Sequence, residues 1–148
     1  MVRRRRSQAG LTLIELAIVL LIVGLLALMA TPLTSSWGAS ADLHTAGGQL
    51  NQAYAHARAA ALRNAGGAKG EEGAARIVLD PQVRELRVCT LAADNCQKVL
   101  WRSALPVGVE LSVLGGAFPI NLNNLGLLDA PVSVQLAKGG MTDVHILQ

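Results

Sequence analysis

The amino-acid sequence predicts an α+β protein, with one long N-terminal helix packed on a mainly antiparallel β-sheet domain. Two observations predict this fold class. Apolar side chains fill the first part of the chain, and helical periodicity continues behind them as far as Arg63. From Ala75 onward the pattern changes to short segments of alternating polar and apolar residues, and these segments are separated by turn residues.

The first part of the predicted helix has the length and composition of a membrane-spanning segment. Leu11 to Ala30 comprises 20 residues, or about 30 Å of helix, which matches the hydrocarbon core of a bilayer. Arg3 to Arg6 precede it and are expected to stay cytoplasmic, which places the chain beyond Pro32 across the membrane. One carboxylate, Glu15, interrupts the apolar run. Because a charge in hydrocarbon costs at least ~2.5 kcal/mol, Glu15 is a candidate functional residue.

The second part of the helix is predicted to be amphipathic and to lay an apolar stripe on the sheet. Gly47-Gly48 weakens its middle, and His44 and His56 are expected to be exposed helix residues. Trp37 has two interpretations at this point: it rests at the membrane–water interface, or it packs against the globular domain. The residues that recur at helical spacing are Leu43, Leu50, Tyr54, Ala57 and Ala61.

The rest of the chain is predicted to form a glycine-rich connection and then short strands. Asn64 to Gly73 contains four glycines and is expected to be a flexible connection that ends the helix. The predicted strands are residues 76–79, 85–89, 98–101, 107–114, 118–122, 132–136 and 144–147, and the predicted turns are Asp80-Pro81, Asn121–Asn124 and Lys138-Gly139-Gly140.

The two cysteines, Cys89 and Cys96, are seven positions apart and bracket a turn-like insert. In an oxidising compartment they would form a disulfide that links the two strands of a hairpin. For so short a loop, such a disulfide stabilises the folded state by roughly 2–3 kcal/mol. The alternative is two free thiols in a reducing cytosol. The N-terminal segment argues for export and so favours the disulfide. A metal site is not expected, because two cysteines lack a second ligand pair and no histidine falls at a ligand spacing.

The overall charge argues against a general nucleic-acid-binding surface. The formal net charge is +3, but Arg3 to Arg6 supply four of the 13 basic residues. Without the first ten residues, nine basic side chains face ten acidic ones. An enzyme is not expected either. Ser103, Asp143 and His145 are present, but no signature places a serine on a nucleophile elbow, and no cofactor motif occurs.

The segment Gly10-Leu11-Thr12-Leu13-Ile14-Glu15 resembles the class III signal of type IV prepilins and type II secretion pseudopilins. In that family a membrane peptidase cuts after the glycine that ends a short basic leader, and the new N-terminal residue is N-methylated. The resemblance implies cleavage between Gly10 and Leu11 and methylation of Leu11. It further implies an assembly role for Glu15 and a helix break at Pro32. The chain departs from the family in having leucine, not phenylalanine, as first mature residue.

The resemblance also implies a domain organisation and a set of partners. The implied domain organisation comprises a leader (1–10), a transmembrane and filament-core helix (11–31), a periplasmic half of that helix (32–63), the connection (64–74) and a pilin-like β-sheet domain (75–148). The partners implied are the prepilin peptidase, other pilins or pseudopilins and the inner-membrane assembly platform. The location implied is the bacterial inner membrane, with the C-terminal domain in the periplasm. Two weaker alternatives are a secretory signal peptide cut near Ala30 and a generic membrane anchor.

The order of elements looks most like the H-type minor pseudopilins and the FimT/FimU-type minor pilins. This resemblance implies a minor subunit of a type II secretion pseudopilus or of a type IV pilus. An alternative is a FimT-like DNA-binding minor pilin in natural transformation, with a basic stripe on the domain. Lys138 is the only basic residue from position 138 to 143, where such pilins carry several, so nucleic acid is the less favoured partner. The residues of the candidate stripe are Arg76, Arg84, Arg87 and Arg102.

Overall fold

A computed structural model describes residues 12–70, 72–91, 96 and 98–148, and of residues 29–35 it describes the backbone alone. The chain divides into two compact units, Met1–Trp37 and Gly38–Gln148. Gly10 and Leu11, the predicted cleavage and methylation site, lie outside the described residues.

A single helix, α1, extends from Leu13 to Arg63. Thr12 precedes it, Glu15 lies in its first turn and Arg63 in its last, so charged residues match the helix dipole at both ends. The backbone is helical through Pro32, so the interruption predicted there is absent. A proline removes one N–H donor, and one lost hydrogen bond does not end a helix of 51 residues. A bend at Pro32 stays a prediction.

The part of α1 that belongs to the first unit exposes apolar side chains on all sides. The exposed fraction is 87% for Leu13 and 74% for Leu28, and every large apolar side chain between them is at least about half exposed. Among the described residues, none of the helices is both long and apolar enough to cross a membrane.

In the part of the second unit that the structure describes, seven strands form two antiparallel sheets. The strands are β1 (Gly73–Asp80), β2 (Glu85–Thr90), β3 (Val99–Ala104), β4 (Glu110–Val113), β5 (Ile120–Asn123), β6 (Val132–Lys138) and β7 (Met141–Leu147). The first sheet has the order β3-β2-β1-β5 and the second has the order β4-β6-β7. All their pairings are antiparallel, which confirms the predicted α+β class. The division into two sheets was not predicted.

Several of the predicted boundaries were wrong, and two of them changed the assignment of a segment. The segment 121–124 is not a turn, because Asn121 pairs with Arg76 of β1 and Asn123 pairs with Gly73. The turn follows β5, where the Asn123 Oδ1 atom accepts hydrogen bonds from the backbone N–H groups of Leu125 and Leu127.

The segment 107–114 forms a strand only from Glu110. Pro106 has no N–H to donate to a ladder, and Gly108 has a φ of +80°, which is a turn conformation. At the other end of the connection, β1 begins at Gly73, two residues earlier than the predicted domain boundary at residue 75.

The core of the second unit lies between α1 and both sheets. Leu50 on the helix, Ile77 on β1 and Leu136 on β6 are fully buried in one apolar cluster. The predicted stripe is confirmed, with Tyr54 partly buried at its edge, and His44 and His56 are exposed as predicted. Small residues fill most of the helix face, which allows the strands to approach closely. The buried residues of this face are Leu43, Ala46, Leu50, Ala53, Ala57, Ala60 and Ala61.

The glycine-rich connection is held at its start by side-chain amides. Asn64 has a φ of +43°, typical of the residue that ends a helix. Its side chain exchanges two hydrogen bonds of 2.8 Å with the backbone of Ala68. The Asn124 amide donates a third bond, of 3.2 Å, to the same Ala68 carbonyl. The first part of the connection is therefore anchored to the helix end and to the turn after β5.

One glycine of the Gly47-Gly48 pair allows β7 to approach α1. A Cβ atom built on Gly47 would lie 2.5 Å from the His145 Nε2 atom, far inside van der Waals contact. His145 is itself held by Asp143, whose Oδ2 atom lies 3.1 Å from the same nitrogen. A Cβ atom on Gly48 would meet nothing within 4 Å. The two adjacent glycines therefore have different roles.

We expect Gly47→Ala to destabilise the protein by about 1–3 kcal/mol, because the added methyl group displaces the His145 ring. Gly48→Ala is the matched control and should stabilise by about 0.5–1 kcal/mol, since alanine favours the helix and its Cβ is unobstructed. Urea unfolding of the full chain in a mild detergent, followed by tryptophan fluorescence, measures both. Equal effects of the two substitutions would contradict this account of the helix–β7 contact.

Candidate functional site

The start of α1 is built around Thr12. The Thr12 Oγ1 atom accepts a hydrogen bond of 3.3 Å from the backbone N–H of Glu15, and its carbonyl accepts one of 3.1 Å from Leu16. This is the geometry of a helix N-cap, which satisfies a backbone donor that has no partner within the helix. This role of Thr12 was not predicted, although a threonine three residues before a glutamate is a known helix-start signature.

Glu15 is the third residue of α1 and its side chain is exposed among apolar neighbours. Ile14 and Leu16 beside it are both more than half exposed. Within the described residues no Lys, Arg or His side chain lies in ion-pair distance of the Glu15 carboxylate. The carboxylate is therefore free to pair with a cation that does not belong to the described residues. The apolar surface around it is suited to contact with hydrocarbon or with another helix.

The Glu15 segment coincides with a known family signature. The family model for the prokaryotic N-terminal methylation motif matches residues 5–31. The chain carries this motif. The match supports the type IV pilin and pseudopilin family and confirms the resemblance of the N-terminal segment to it. No curated protein and no solved structure gives a significant match to the chain.

The methylation motif indicates a structural subunit that is processed by a prepilin peptidase and assembled with other pilins. The matched range includes Glu15 and the predicted cleavage site between Gly10 and Leu11, and it ends immediately before Pro32. Cleavage, methylation of Leu11 and the docking role of Glu15 stay predictions. So does the choice between a pseudopilus and a pilus.

The two cysteines of the chain form a disulfide. Cys89 near the end of β2 is bonded to Cys96, which lies shortly before β3, and their Cα atoms are 5.3 Å apart. The Cys89 side chain is fully buried, at a point where the pairing of β2 with β3 shifts register. The disulfide thus closes the connection between two neighbouring strands, as the sequence predicted.

Three of the four arginines of the candidate basic stripe share one face of the first sheet. Arg87 is directly opposite Val78 on one side and Arg102 on the other, and Arg76 lies two residues from Val78. Arg87 is nevertheless neutralised. Its guanidinium lies 2.9 Å from the Asp80 carboxylate and 3.1 Å from that of Glu85.

The remaining basic candidates are engaged with the protein itself. Arg84 donates hydrogen bonds to the backbone carbonyls of Pro106 and Val109. Lys138 forms an ion pair with Asp42 of α1 and also donates to the Val107 carbonyl at 2.6 Å. Of the candidate stripe, Arg76 and Arg102 are the residues left without an ion pair or a side-chain hydrogen bond among the described residues.

The described residues contain no group of three or more His, Cys, Asp or Glu side chains that could hold a metal ion. The side chains named as a possible triad are divided between the sheets. Ser103 lies on β3 of the first sheet, and Asp143 and His145 lie on β7 of the second.

We expect the chain without residues 1–10 to show no salt-dependent binding of duplex DNA, because the two unpaired arginines of the stripe neutralise few phosphates. The measurement is fluorescence anisotropy with a labelled duplex in neutral detergent, titrated with salt from low to physiological concentration. The leader is removed because Arg3 to Arg6 would themselves bind phosphates. Asp80→Asn with Glu85→Gln frees Arg87 and serves as the comparison, with expected binding at low salt. Tight, salt-sensitive binding by the truncated chain without these substitutions would contradict this expectation.

Proposed function

We propose that this chain is a minor pseudopilin or minor pilin, a structural subunit of a type II secretion pseudopilus or of a type IV pilus. A prepilin peptidase removes residues 1–10, and Leu11 becomes the methylated N-terminus. Residues 11–31 hold the subunit in the inner membrane and later form the filament core. The C-terminal domain lies in the periplasm.

The observation that carries this proposal is the methylation motif on a helix whose first turn presents Glu15 without a cationic partner among the described residues. Cleavage after Gly10 creates a free α-amino group at Leu11. When two subunits associate, the Glu15 carboxylate of one meets the ammonium group of the other. Each charge is costly in the membrane, and the pair neutralises both.

The same contact sets the axial register of neighbouring helices. Apolar side chains around the whole circumference of α1 allow many relative shifts with similar packing energy. A single carboxylate near one end selects the shift at which it meets an amine. Gly24, where an added Cβ would meet nothing within 4 Å, leaves space for a neighbouring helix to approach closely.

The role as a minor subunit is supported by the order of elements in the second unit. Helix, glycine-rich connection and antiparallel sheets follow one another as expected for H-type pseudopilins and FimT/FimU-type pilins. The DNA-binding alternative receives less support, because Arg84, Arg87 and Lys138 are all engaged within the protein. Binding neighbouring subunits is thus the function we propose for the domain.

We expect Glu15→Gln to reduce incorporation into the filament at least tenfold while leaving leader cleavage intact. Glutamine keeps the size of the side chain and suits the third position of a capped helix. A loss of incorporation would therefore be due to the missing negative charge. Glu15→Asp keeps the charge and should restore part of the incorporation. Sheared filament fractions and membrane fractions, probed by immunoblotting in cells that lack the native gene, measure both properties.

Thr12→Ser is the matched control at the helix start, since serine also caps a helix. It should leave incorporation near the unchanged level. Normal incorporation of Glu15→Gln would remove the docking role. Loss of incorporation for Thr12→Ser, with Glu15 intact, would instead assign the effect to the start of the helix.

A further inference from the structure

The first unit contains a second amphipathic residue, at the end opposite to Glu15. The Trp37 side chain is 70% exposed, and it makes no hydrogen bond or ring contact within the described residues. The other tryptophan, Trp101, stacks on His56 with ring centroids 5.4 Å apart and is half-buried. An indole that exposes most of its surface requires an environment that suits both its apolar body and its N–H group.

The spacing of Glu15 and Trp37 matches the thickness of a bilayer. They are 22 residues apart on a continuous helix, which corresponds to about 33 Å at 1.5 Å per residue. The hydrocarbon core of a bilayer is about 30 Å thick. No charged residue occurs between positions 16 and 36. The carboxylate and the indole therefore bracket a stretch of helix that contains no charged residue and whose length is close to the thickness of the hydrocarbon core.

We propose that Trp37 binds in the lipid headgroup layer on the periplasmic side, and that Glu15 lies at the opposite, cytoplasmic edge of the hydrocarbon. The proposal rests on the proposed membrane anchoring of α1. Tryptophan is enriched at this depth because its ring packs on acyl chains while its N–H reaches water and headgroups. Together the two residues fix the depth of the subunit before assembly.

This placement changes the energetics of Glu15. A carboxylate at the edge of the hydrocarbon retains access to water and headgroups, so it costs less than one at the bilayer centre. The unassembled subunit can then keep Glu15 charged at the depth where a neighbour's N-terminal ammonium also lies. Depth thus becomes part of the docking geometry, because a subunit that is too deep or too shallow misaligns the two charges.

The test measures the depth of Trp37 in lipid vesicles. The full chain carrying Trp101→Phe, which leaves Trp37 as the only tryptophan, is reconstituted at low protein density into phosphatidylethanolamine and phosphatidylglycerol vesicles. The lipids carry bromine near the headgroup, at mid-chain or at the chain end, and bromine quenches nearby tryptophan fluorescence. We expect a blue-shifted emission and at least twofold stronger quenching by bromine near the headgroup than at the chain end.

The matched control moves the tryptophan by 11 residues, or about 16 Å along the helix. It combines Leu26→Trp with Trp37→Phe and Trp101→Phe, and its single indole should be quenched most by the deeper bromines. Quenching of the indole in this control, without any quenching of Trp37 in the first variant, would overturn the inference while leaving the membrane anchor intact. So would strongest quenching of Trp37 by chain-end bromine.

A different result separates the inference from the proposed function. If the indole is quenched in neither variant and the chain fails to float with the vesicles, the anchoring of α1 itself is wrong. A blue shift of Trp37 that depends on the protein-to-lipid ratio, without quenching by bromine, would mean that a second subunit covers the indole, and this also overturns the inference.

Discussion

The structure depends on one helix that has to bury two different surfaces. From Gly38 to Arg63, α1 presents a stripe of leucine and alanine that the two sheets cover. From Leu13 to Leu28 the same helix exposes large apolar side chains on all sides. The first surface is buried within the chain, and the second is buried only when lipid or other helices cover it. Assembly is the natural consequence of this division.

The charge distribution follows the same division. The four arginines at the N-terminus account for the basic character of the full chain, and they belong to the segment that the proposed cleavage removes. What remains is nearly neutral, and its main ion pairs are internal. Lys138 connects the β6–β7 turn to Asp42 on the helix, and Arg87 is held between two carboxylates. Glu15 has no ion-pair partner among the described residues, and its partner is proposed to come from a neighbouring subunit.

The elements that were predictable from the sequence are those set by local patterns. The apolar run around Glu15, the helical stripe through Leu50 and the alternation of Glu85 to Cys89 each involve neighbouring residues. Long-range pairing was not predictable in the same way. Asn121 has a strong turn preference, but pairing with Arg76 on β1 places it in a strand. The contact of Gly47 with His145 joins residues about a hundred positions apart, and no local pattern indicates it.

In the candidate site, too, the sequence predicted some features and not others. Glu15 was identified because a lone carboxylate in an apolar run is unusual, and Thr12 was missed although its capping role is a local pattern. The disulfide was predictable from the seven-residue spacing, since a short hairpin brings such cysteines together. The ion pair of Arg87 with Asp80 was not, because it depends on the register of β1 with β2.

The central claim is that the chain is a precursor whose working form begins at Leu11. Intact-mass and N-terminal peptide mass spectrometry of the protein extracted from membranes, after co-expression with a prepilin peptidase, tests it most directly. The account predicts a chain that begins at Leu11 and carries one added methyl group on its α-amino nitrogen. A chain that begins near Thr31, or one that keeps residues 1–10 in the presence of active peptidase, would contradict it.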